Sequence, residues 1–152
     1  MLLNAKHFGQ IEYSASDIIT FEEGLPGFKE TQFLLLADNP DDLFQWLQSV
    51  EDEDLTFVLV DVKQIMPDYQ PKIDQETIDS LSEGDIEDSV KYLNVAVVPE
   101  EIEKMRVNLK APIAINKHSR KGKQIIAGNE EYGIRHYIFE EISQKQSMGQ
   151  VM

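Results

Sequence analysis

The stretch that most constrains the fold is residues 44–62, FQWLQSVEDEDLTFVLVDV, in which two apolar runs flank four consecutive acids. In the second run, Leu55–Val60, the side chains of Leu55, Phe57 and Leu59 would lie on one face of a strand and those of Val58 and Val60 on the other. Apolar residues on both faces predict a strand that is buried on both sides. The first run contains the only tryptophan of the chain. We therefore predict a buried β-hairpin with an acidic tip. An acidic tip of this kind is more typical of a surface that binds a partner than of a catalytic site.

The other apolar runs are short and alternating, and Gly, Pro, Asn and Asp separate them. This pattern predicts a mainly β fold, a compact single-domain antiparallel sheet or small barrel, with one or two short helices. The clearest alternation predicts one strand with an inward face and an outward face. The inward face is predicted to hold Val107, Leu109, Ala111, Ile113 and Ile115, and the outward face Arg106, Asn108, Lys110 and Asn116. Pro112 predicts an edge position or a break in that strand, because it cannot donate a ladder hydrogen bond.

One short helix is predicted at Asp74–Ser82, where Asp74 has the side chain of an N-cap. A second helical turn is predicted from Pro99, and residues 132–142 fit either a strand or a helix. At 152 residues, the chain has the length of one domain. We predict a single domain over residues 1–142 and a frayed tail over residues 143–152.

The net charge of −14 is unevenly distributed. Residues 1–103 hold 24 acids and five bases, giving −19, and residues 104–152 hold four acids and nine bases, giving +5. The overall sign disfavours direct nucleic-acid binding, which depends on Lys and Arg neutralising phosphates. The acidic part would attract a basic partner. The simpler alternative is that the charge only keeps the protein soluble.

Cellular location is indicated by what the sequence lacks. It contains no cysteine, so disulfides and thiolate metal sites are excluded, in agreement with a reducing cytosol. The first ten residues do not form a signal peptide. The longest apolar runs are too short to span a bilayer. We therefore expect a cytoplasmic protein without a membrane contact.

Catalytic signatures are missing from the sequence. There is no G-x-S-x-G elbow, Walker loop or H-E-x-x-H motif, and the three histidines are far apart in sequence. The segment Gly24-Leu25-Pro26-Gly27 lacks the Lys-Ser/Thr of a phosphate loop. Its Pro26 and Gly27 instead fit the two central positions of a type II turn, so we predict that Gly24, Pro26 and Gly27 are structural. No enzymatic activity, cofactor or metal is expected.

Three sequence blocks resemble one family. Residues 44–60 are similar to its F-x-W/L-L-Q-S strand, acidic turn and L-x-F-V strand; FEEGLPGFK (21–29) and VNLKAPIAINKHSRKGKQII (107–126) resemble its other two blocks. The blocks fall in the order of the flagellar assembly factor FliW family, and the resemblance spans most of the chain. Glu53 departs from the pattern, since proline is expected there in many members.

The FliW resemblance implies a β-barrel-like fold and a cytoplasmic partner switch. Members bind newly made flagellin through its C-terminal helices, and they also bind CsrA, an RNA-binding translational repressor. Once flagellin is secreted, the released protein captures CsrA, and flagellin mRNA is translated again. The charge argument agrees, because an RNA-binding repressor is basic and this chain is acidic. A protein that is a monomer on its own is expected.

We expect partner contacts at the hairpin, at Asp68 and Tyr69 after it, and at polar positions of the third block. The candidate set is Phe44, Trp46, Glu51, Asp52, Glu53, Asp54, Asp68, Tyr69, Asn108 and Lys110. Phe44 and Trp46 share one side of their strand, either as core residues or as anchors for a partner. The basic loop 117–123 is interpreted as a solvated hairpin loop, with an acidic partner or RNA as the alternative contacts. Two other functions stay open: a hydrolase using clustered carboxylates, and a nucleic-acid-binding β-barrel.

Overall fold

The computed structural model describes residues 1–81 and 90–144, and it confirms a mainly β protein. The strands are β1 (Leu2–Ala5), β2 (Gly9–Glu12), β3 (Ile19–Thr20), β4 (Gln32–Leu36), β5 (Phe44–Ser49), β6 (Thr56–Val60), β7 (Val90–Val97), β8 (Arg106–Val107), β9 (Ile113–Asn116), β10 (Lys121–Gln124) and β11 (His136–Tyr137). The helices are α1 (Gln75–Leu81) and α2 (139–144). Short 3₁₀ turns cover Ala15–Asp17, Val62–Gln64 and Ile102–Lys104.

The main sheet closes on itself. Its strands follow the order β11-β8-β7-β6-β5-β4-β3-β10-β9, and β7 closes the circuit by pairing with β9. The N-terminal half of β7 pairs with β9, as at Leu93 and Ile113, and its C-terminal half pairs with β8. The predicted barrel is confirmed, but it is not wholly antiparallel, since β3 and β10 meet in a parallel bridge between Thr20 and Lys121. β1 and β2 form a separate hairpin.

The barrel interior is apolar, and its two ends differ. The main core cluster consists of Ile19, Phe21, Leu25, Phe33, Leu47, Leu59, Leu93, Ile113 and Ile115. One end of the barrel is lined by apolar side chains such as Phe57 and Val97. The other end is lined by polar groups such as Gln45, Lys91 and Lys117. This difference places surfaces of different chemistry at opposite ends of the same strands.

The predicted strand over residues 106–116 is interrupted. β8 ends at Val107 and β9 begins at Ile113, so the break at Pro112 is confirmed. All five positions predicted to face inward are buried. The outward assignment of Asn116 is wrong, because only 2% of this residue is exposed. Its amide donates to the main-chain oxygen of Leu81 and accepts from the N–H groups of His118 and Ser119, which compensates for the burial of a polar group.

The hairpin formed by β5 and β6 differs from prediction in two respects. On β6, only Leu59 and Val60 are fully buried, and the remaining side chains are half-buried. On β5, the core side carries Gln45 and Leu47 rather than Trp46. Gln45 tolerates burial because its amide donates to the main-chain oxygens of two residues in the preceding loop, at 3.2 and 3.0 Å.

The predicted turn and the predicted helix are both present. Leu25 O accepts from Phe28 N–H at 2.9 Å, and Gly27 has a φ of 87°, as a type II turn requires. The N-cap is confirmed: Asp74 Oδ1 accepts from the N–H of Thr77 at 2.8 Å, immediately before α1.

The predicted end of the α1 helix at Ser82 lies outside the described residues. Residues 132–142 contain both elements, first β11 and then the start of α2. Residues 143 and 144, predicted as frayed, belong to α2, and residues 145–152 lie outside the described part. Within residues 1–81 and 90–144, no helix has the length and apolar character needed to cross a membrane.

Candidate partner-binding site

The acidic tip, defined as Glu51–Asp54, is held in place by local hydrogen bonds. The Ser49 hydroxyl accepts from the N–H groups of Glu51 and Asp52, both at 3.0 Å. Asp52 O accepts from Leu55 N–H at 3.0 Å. Beneath the tip, the buried Gln48 amide donates to the main-chain oxygens of Glu53 and Leu55. The acids therefore project from an ordered turn rather than a loose one.

Two of the four tip carboxylates bind neighbouring strands. Glu51 Oε1 accepts from the N–H groups of Thr31 and Gln32, at 2.8 and 2.7 Å. Glu53 Oε2 accepts from Asn4 N–H at 3.2 Å, which ties β1 to the tip. The carboxylates of Glu51 and Glu53 thus have a structural role that the sequence interpretation did not include.

Asp52 and Asp54 fit the predicted display role better. Asp52 Oδ1 accepts from the nearby Asp54 N–H at 3.0 Å, and both residues are exposed. Within the described residues, no lysine, arginine or histidine nitrogen lies within ion-pair distance of any tip carboxylate. The charge of the tip is therefore not neutralised by any cation in residues 1–81 and 90–144.

Trp46 and Phe44 lie on the outer side of β5. The Trp46 ring is packed edge-on against Phe8, with centroids 5.4 Å apart, and His7 lies at 5.9 Å. Both neighbours belong to the turn between β1 and β2. Phe44 is half-buried and packs against a second apolar cluster that includes Val60. Trp46 is thus a surface residue of the β5–β6 hairpin that the β1–β2 turn covers.

Tyr69 is buried, with 2% exposure, and offers no surface to a partner in this conformation. Its hydroxyl donates to Leu109 O at 2.8 Å and accepts from Asn94 Nδ2 at 2.9 Å. Its ring packs on Tyr132, with centroids 4.8 Å apart. Burial raises the pKa of Tyr69 to about 12, against the opposing effect of the Asn94 hydrogen bond. These contacts give Tyr69 a structural role.

The three candidate residues near Tyr69 differ in accessibility. Asp68 is exposed. Asn108 and Lys110 are half-buried; Asn108 Oδ1 accepts from Ala111 N–H at 3.0 Å, and Lys110 Nζ donates to Asn129 O at 2.9 Å. Asp68 is therefore the most accessible charged group of this set.

The candidate residues do not form one surface. Asn94, which holds Tyr69, pairs with Val60, and Val60 pairs with Phe44. The acidic tip begins beyond the pair Gln48–Thr56. Gln48 lies four residues after Phe44 along β5, a distance of about 13 Å. The structure thus separates the tip from the Tyr69 region along the length of the hairpin.

A surface that the sequence analysis missed lies at the apolar end of the barrel. We call it the apolar groove; its volume is about 300 Å³. The residues that define it are Phe28, Phe57, Val95, Val97 and Ile134, with Arg106 and Arg135 at its rim. Phe28 packs edge-on against Phe57, with centroids 5.0 Å apart. Pro26 and Asn108, both selected from the sequence for other reasons, also line it.

The apolar groove leaves large apolar side chains in contact with solvent. Exposure is 43% for Phe28, 46% for Val97 and 66% for Ile134. Exposed apolar surface gathered in one groove is typical of interaction sites. The sequence signal for it was weak, because Phe28 follows a turn and Val97 ends a strand, positions where apolar residues are often explained by packing.

The rim of the groove is basic in an acidic chain. Among the described residues, no carboxylate lies within ion-pair distance of the Arg106 or Arg135 guanidinium. Arg106 pairs across the sheet with Val97 on one side and Tyr137 on the other, and Tyr137 is 58% exposed. Aromatic, aliphatic and arginine side chains in one patch have the composition of a protein–protein contact.

The basic segment 117–123 spans the turn between β9 and β10 and the first three residues of β10, which confirms the predicted hairpin. Only residues 117–120 form the loop, and the prediction that the whole segment is solvated is wrong, because Gly122 on β10 is buried. Two lysines of the segment pair with acids of the 21–29 block: Lys121 with Glu22 at 3.7 Å and Lys123 with Glu23 at 3.5 Å. These ion pairs reduce the positive charge that the segment would offer to RNA. Over the described ranges, no group of three or more His, Asp or Glu side chains is arranged to hold a metal ion.

Comparisons with known proteins agree with the fold and the sequence blocks. The family model for FliW protein matches residues 2–138. The flagellar assembly factor FliW of Thermoanaerobacter pseudethanolicus is 47% identical over 144 residues, which cover 93% of this chain and 95% of that protein. That of Caldanaerobacter subterraneus is 44% identical with the same coverage. A crystal structure of the flagellar assembly factor FliW, 36% identical, superimposes with a TM-score of 0.82 over 91% of this chain and 97% of that one. The chain belongs to the FliW family of flagellar assembly factors.

Proposed function

We propose that this protein is a non-enzymatic, cytoplasmic partner switch that binds flagellin in a chaperone-like manner and binds and antagonises CsrA. The observation that carries the CsrA part is the acidic tip, whose charge is not neutralised by any described cation. The tip sits in the −19 part of the chain. The relatives' name, flagellar assembly factor, supports a role in building flagella.

The acidic tip suits a basic RNA-binding protein for two reasons. Its turn is held by Ser49 and Gln48, so little conformational entropy is lost when a partner docks. The charge around it accelerates encounter with a cationic surface. Flagellin bound to this protein would keep it from CsrA, and secretion of flagellin would release it to capture the repressor. Translation of flagellin mRNA would then resume.

The test measures release of RNA from CsrA. A labelled flagellin mRNA leader is bound to CsrA, and the purified protein is titrated in; fluorescence anisotropy is expected to fall as CsrA is captured. The variant Asp52→Lys/Asp54→Lys should release less RNA at equal concentration. Its matched control is Asp38→Lys/Asp41→Lys, which changes the net charge equally at two exposed acids in the loop before β5, at the opposite end of that strand from the tip.

The control separates a local effect from a general one. If both double variants lose activity equally, total charge rather than the tip attracts CsrA. If the unmodified protein fails to bind CsrA at all, the proposed antagonism is wrong. Folding of each variant is checked by circular dichroism.

A further inference from the structure

We infer that the apolar groove binds one amphipathic α-helix, with its apolar stripe against Phe28, Phe57 and Val97 and with acidic residues beside Arg106 and Arg135. The inference rests on the proposed function in one respect: flagellin is the partner that would supply the helix. Beyond the proposed function, the inference assigns the surface that the helix contacts and the side chains that the helix must carry.

The groove needs an apolar occupant. Its floor continues the barrel core, because Phe57 and Val95 pack against the main core cluster. Phe28, Val97 and Ile134 are then left with 43%, 46% and 66% of their surface exposed. Removing such surface from water is favourable in proportion to the apolar area covered. A partner with an apolar stripe would complete the end of the barrel.

The occupant has to bring its own main-chain hydrogen bonds. β7 is paired on one side with β6 and on the other with β9 and β8, and β8 lies between β7 and β11. Among the described residues, β7 and β8 therefore offer no open edge to an added strand, and β11, which ends the sheet order, is only two residues long. An extended segment would leave its N–H and C=O groups unpaired against apolar side chains. A helix has these groups satisfied internally and presents side chains alone.

The rim selects the charge of the occupant. Arg106 and Arg135 have no carboxylate partner among the described residues, although acids outnumber bases 28 to 14 in the chain. An acidic side chain on the partner helix would find two guanidinium groups that no carboxylate of the described residues pairs with. A helix with basic flanks would meet repulsion at the same place.

The experiment measures flagellin and CsrA affinities side by side by isothermal titration calorimetry. The groove variants are Val97→Glu and Ile134→Glu, and the matched control is Leu2→Glu, at an apolar residue 67% exposed that does not line the groove. The rim is tested with Arg135→Glu against Lys63→Glu, an exposed cation elsewhere. Circular dichroism confirms folding, and sedimentation velocity gives the oligomeric state.

The expected result is a loss of flagellin affinity of about tenfold or more for each groove variant and for Arg135→Glu. The controls are expected to stay within about twofold of the unmodified protein. Two groove variants are used so that a folding failure in one still leaves a result from the other.

Other outcomes overturn the inference in distinguishable ways. If flagellin binds the groove variants as tightly as the unmodified protein, the groove is not its site, and the proposed function stands. If flagellin does not bind the unmodified protein, both proposals are wrong. If the groove variants lose affinity for CsrA instead of flagellin, the occupant of the groove is CsrA. If the unmodified protein is a dimer and the groove variants are monomers, the occupant is a second copy of this chain.

Discussion

The Tyr69 hydroxyl donates a 2.8 Å hydrogen bond to the main-chain oxygen of Leu109, 40 residues further along the chain. The bond joins the segment after β6 to the interruption between β8 and β9. Asn94 donates to the same hydroxyl at 2.9 Å and also to Asn108 O at 2.8 Å. A buried network of this kind stabilises the fold where the strand pairing is broken.

The first prediction concerns this network. Tyr69→Phe should lower the free energy of unfolding by about 1–3 kcal/mol, because Leu109 O and Asn94 Nδ2 each lose a partner in a buried site. Tyr137→Phe, at an exposed tyrosine, is the control and should change little. Urea unfolding followed by circular dichroism measures both, and equal stability of the two variants would contradict the structural role given to Tyr69.

The second prediction is a loss of stability in alkali. The pKa of Tyr69 rises from 10.0 to about 12 in the folded protein because of burial. Above pH 10 the unfolded chain loses this proton while the folded protein retains it, so the free energy of unfolding falls as the pH rises toward 12. The part of the fall due to Tyr69 should be missing in Tyr69→Phe, which is measured by repeating the urea titrations between pH 9 and pH 12. Parallel pH curves for the two proteins would refute the assignment.

The third prediction concerns Gly122 on β10. A Cβ at this position would lie 2.7 Å from Cε2 of Phe21, a ring with no exposed surface that is packed in the main core cluster. Gly122→Ala should therefore cost about 1–3 kcal/mol of stability. Gly133→Ala, where nothing lies within 4 Å of the added atom, is the control. Thermal unfolding compares the two, and equal melting temperatures would show that the Phe21 ring can rearrange.

The strands were predictable from the sequence because alternation is a local signal, whereas closure of the sheet into a barrel was implied only by the family resemblance. The buried positions Leu109, Ile113 and Ile115 follow directly from the alternation. The burial of Asn116 and Gln45 could not be predicted from alternation, because it depends on hydrogen-bond partners that other segments supply. Alternation alone cannot show which polar residue will find such partners.

The candidate site was predictable in part, for the same reason. The acidic tip is continuous in sequence, and its location was foreseen. The hydrogen bonds of Glu51 to Thr31 and of Glu53 to Asn4 were not foreseen, because they join residues that are far apart in sequence. The apolar groove gathers residues from several separate segments, from Phe28 to Arg135, and no single motif contains them.

The fourth prediction concerns the salt dependence of CsrA association. The on-rate should fall as salt rises, because the Debye length shortens from about 8 Å at physiological ionic strength to about 3 Å at 1 M. Asp52→Lys/Asp54→Lys should lower the on-rate more than it raises the off-rate and should flatten the salt dependence. Stopped-flow or surface plasmon resonance kinetics measure both rates. An on-rate independent of salt in the unmodified protein would contradict the electrostatic proposal.

The fifth prediction is that flagellin and CsrA cannot be held together at full affinity. Phe57 of the groove follows Asp54 of the tip by three residues, which places the two surfaces within about 10 Å along the chain. Adding flagellin to labelled CsrA complex should therefore release CsrA, and linkage requires the reverse effect to have the same magnitude. A stable ternary complex with both affinities unchanged would refute the switch.

Trp46 gives this molecule a built-in optical reporter. It is the one tryptophan in the sequence, and its ring is covered by Phe8 and His7 from the turn of the β1–β2 hairpin. That hairpin is fastened to the acidic tip through Asn4 and Glu53. A partner that binds the tip and breaks the Asn4–Glu53 hydrogen bond will expose the indole to water. The fluorescence emission of Trp46 will then shift to longer wavelength without any added label.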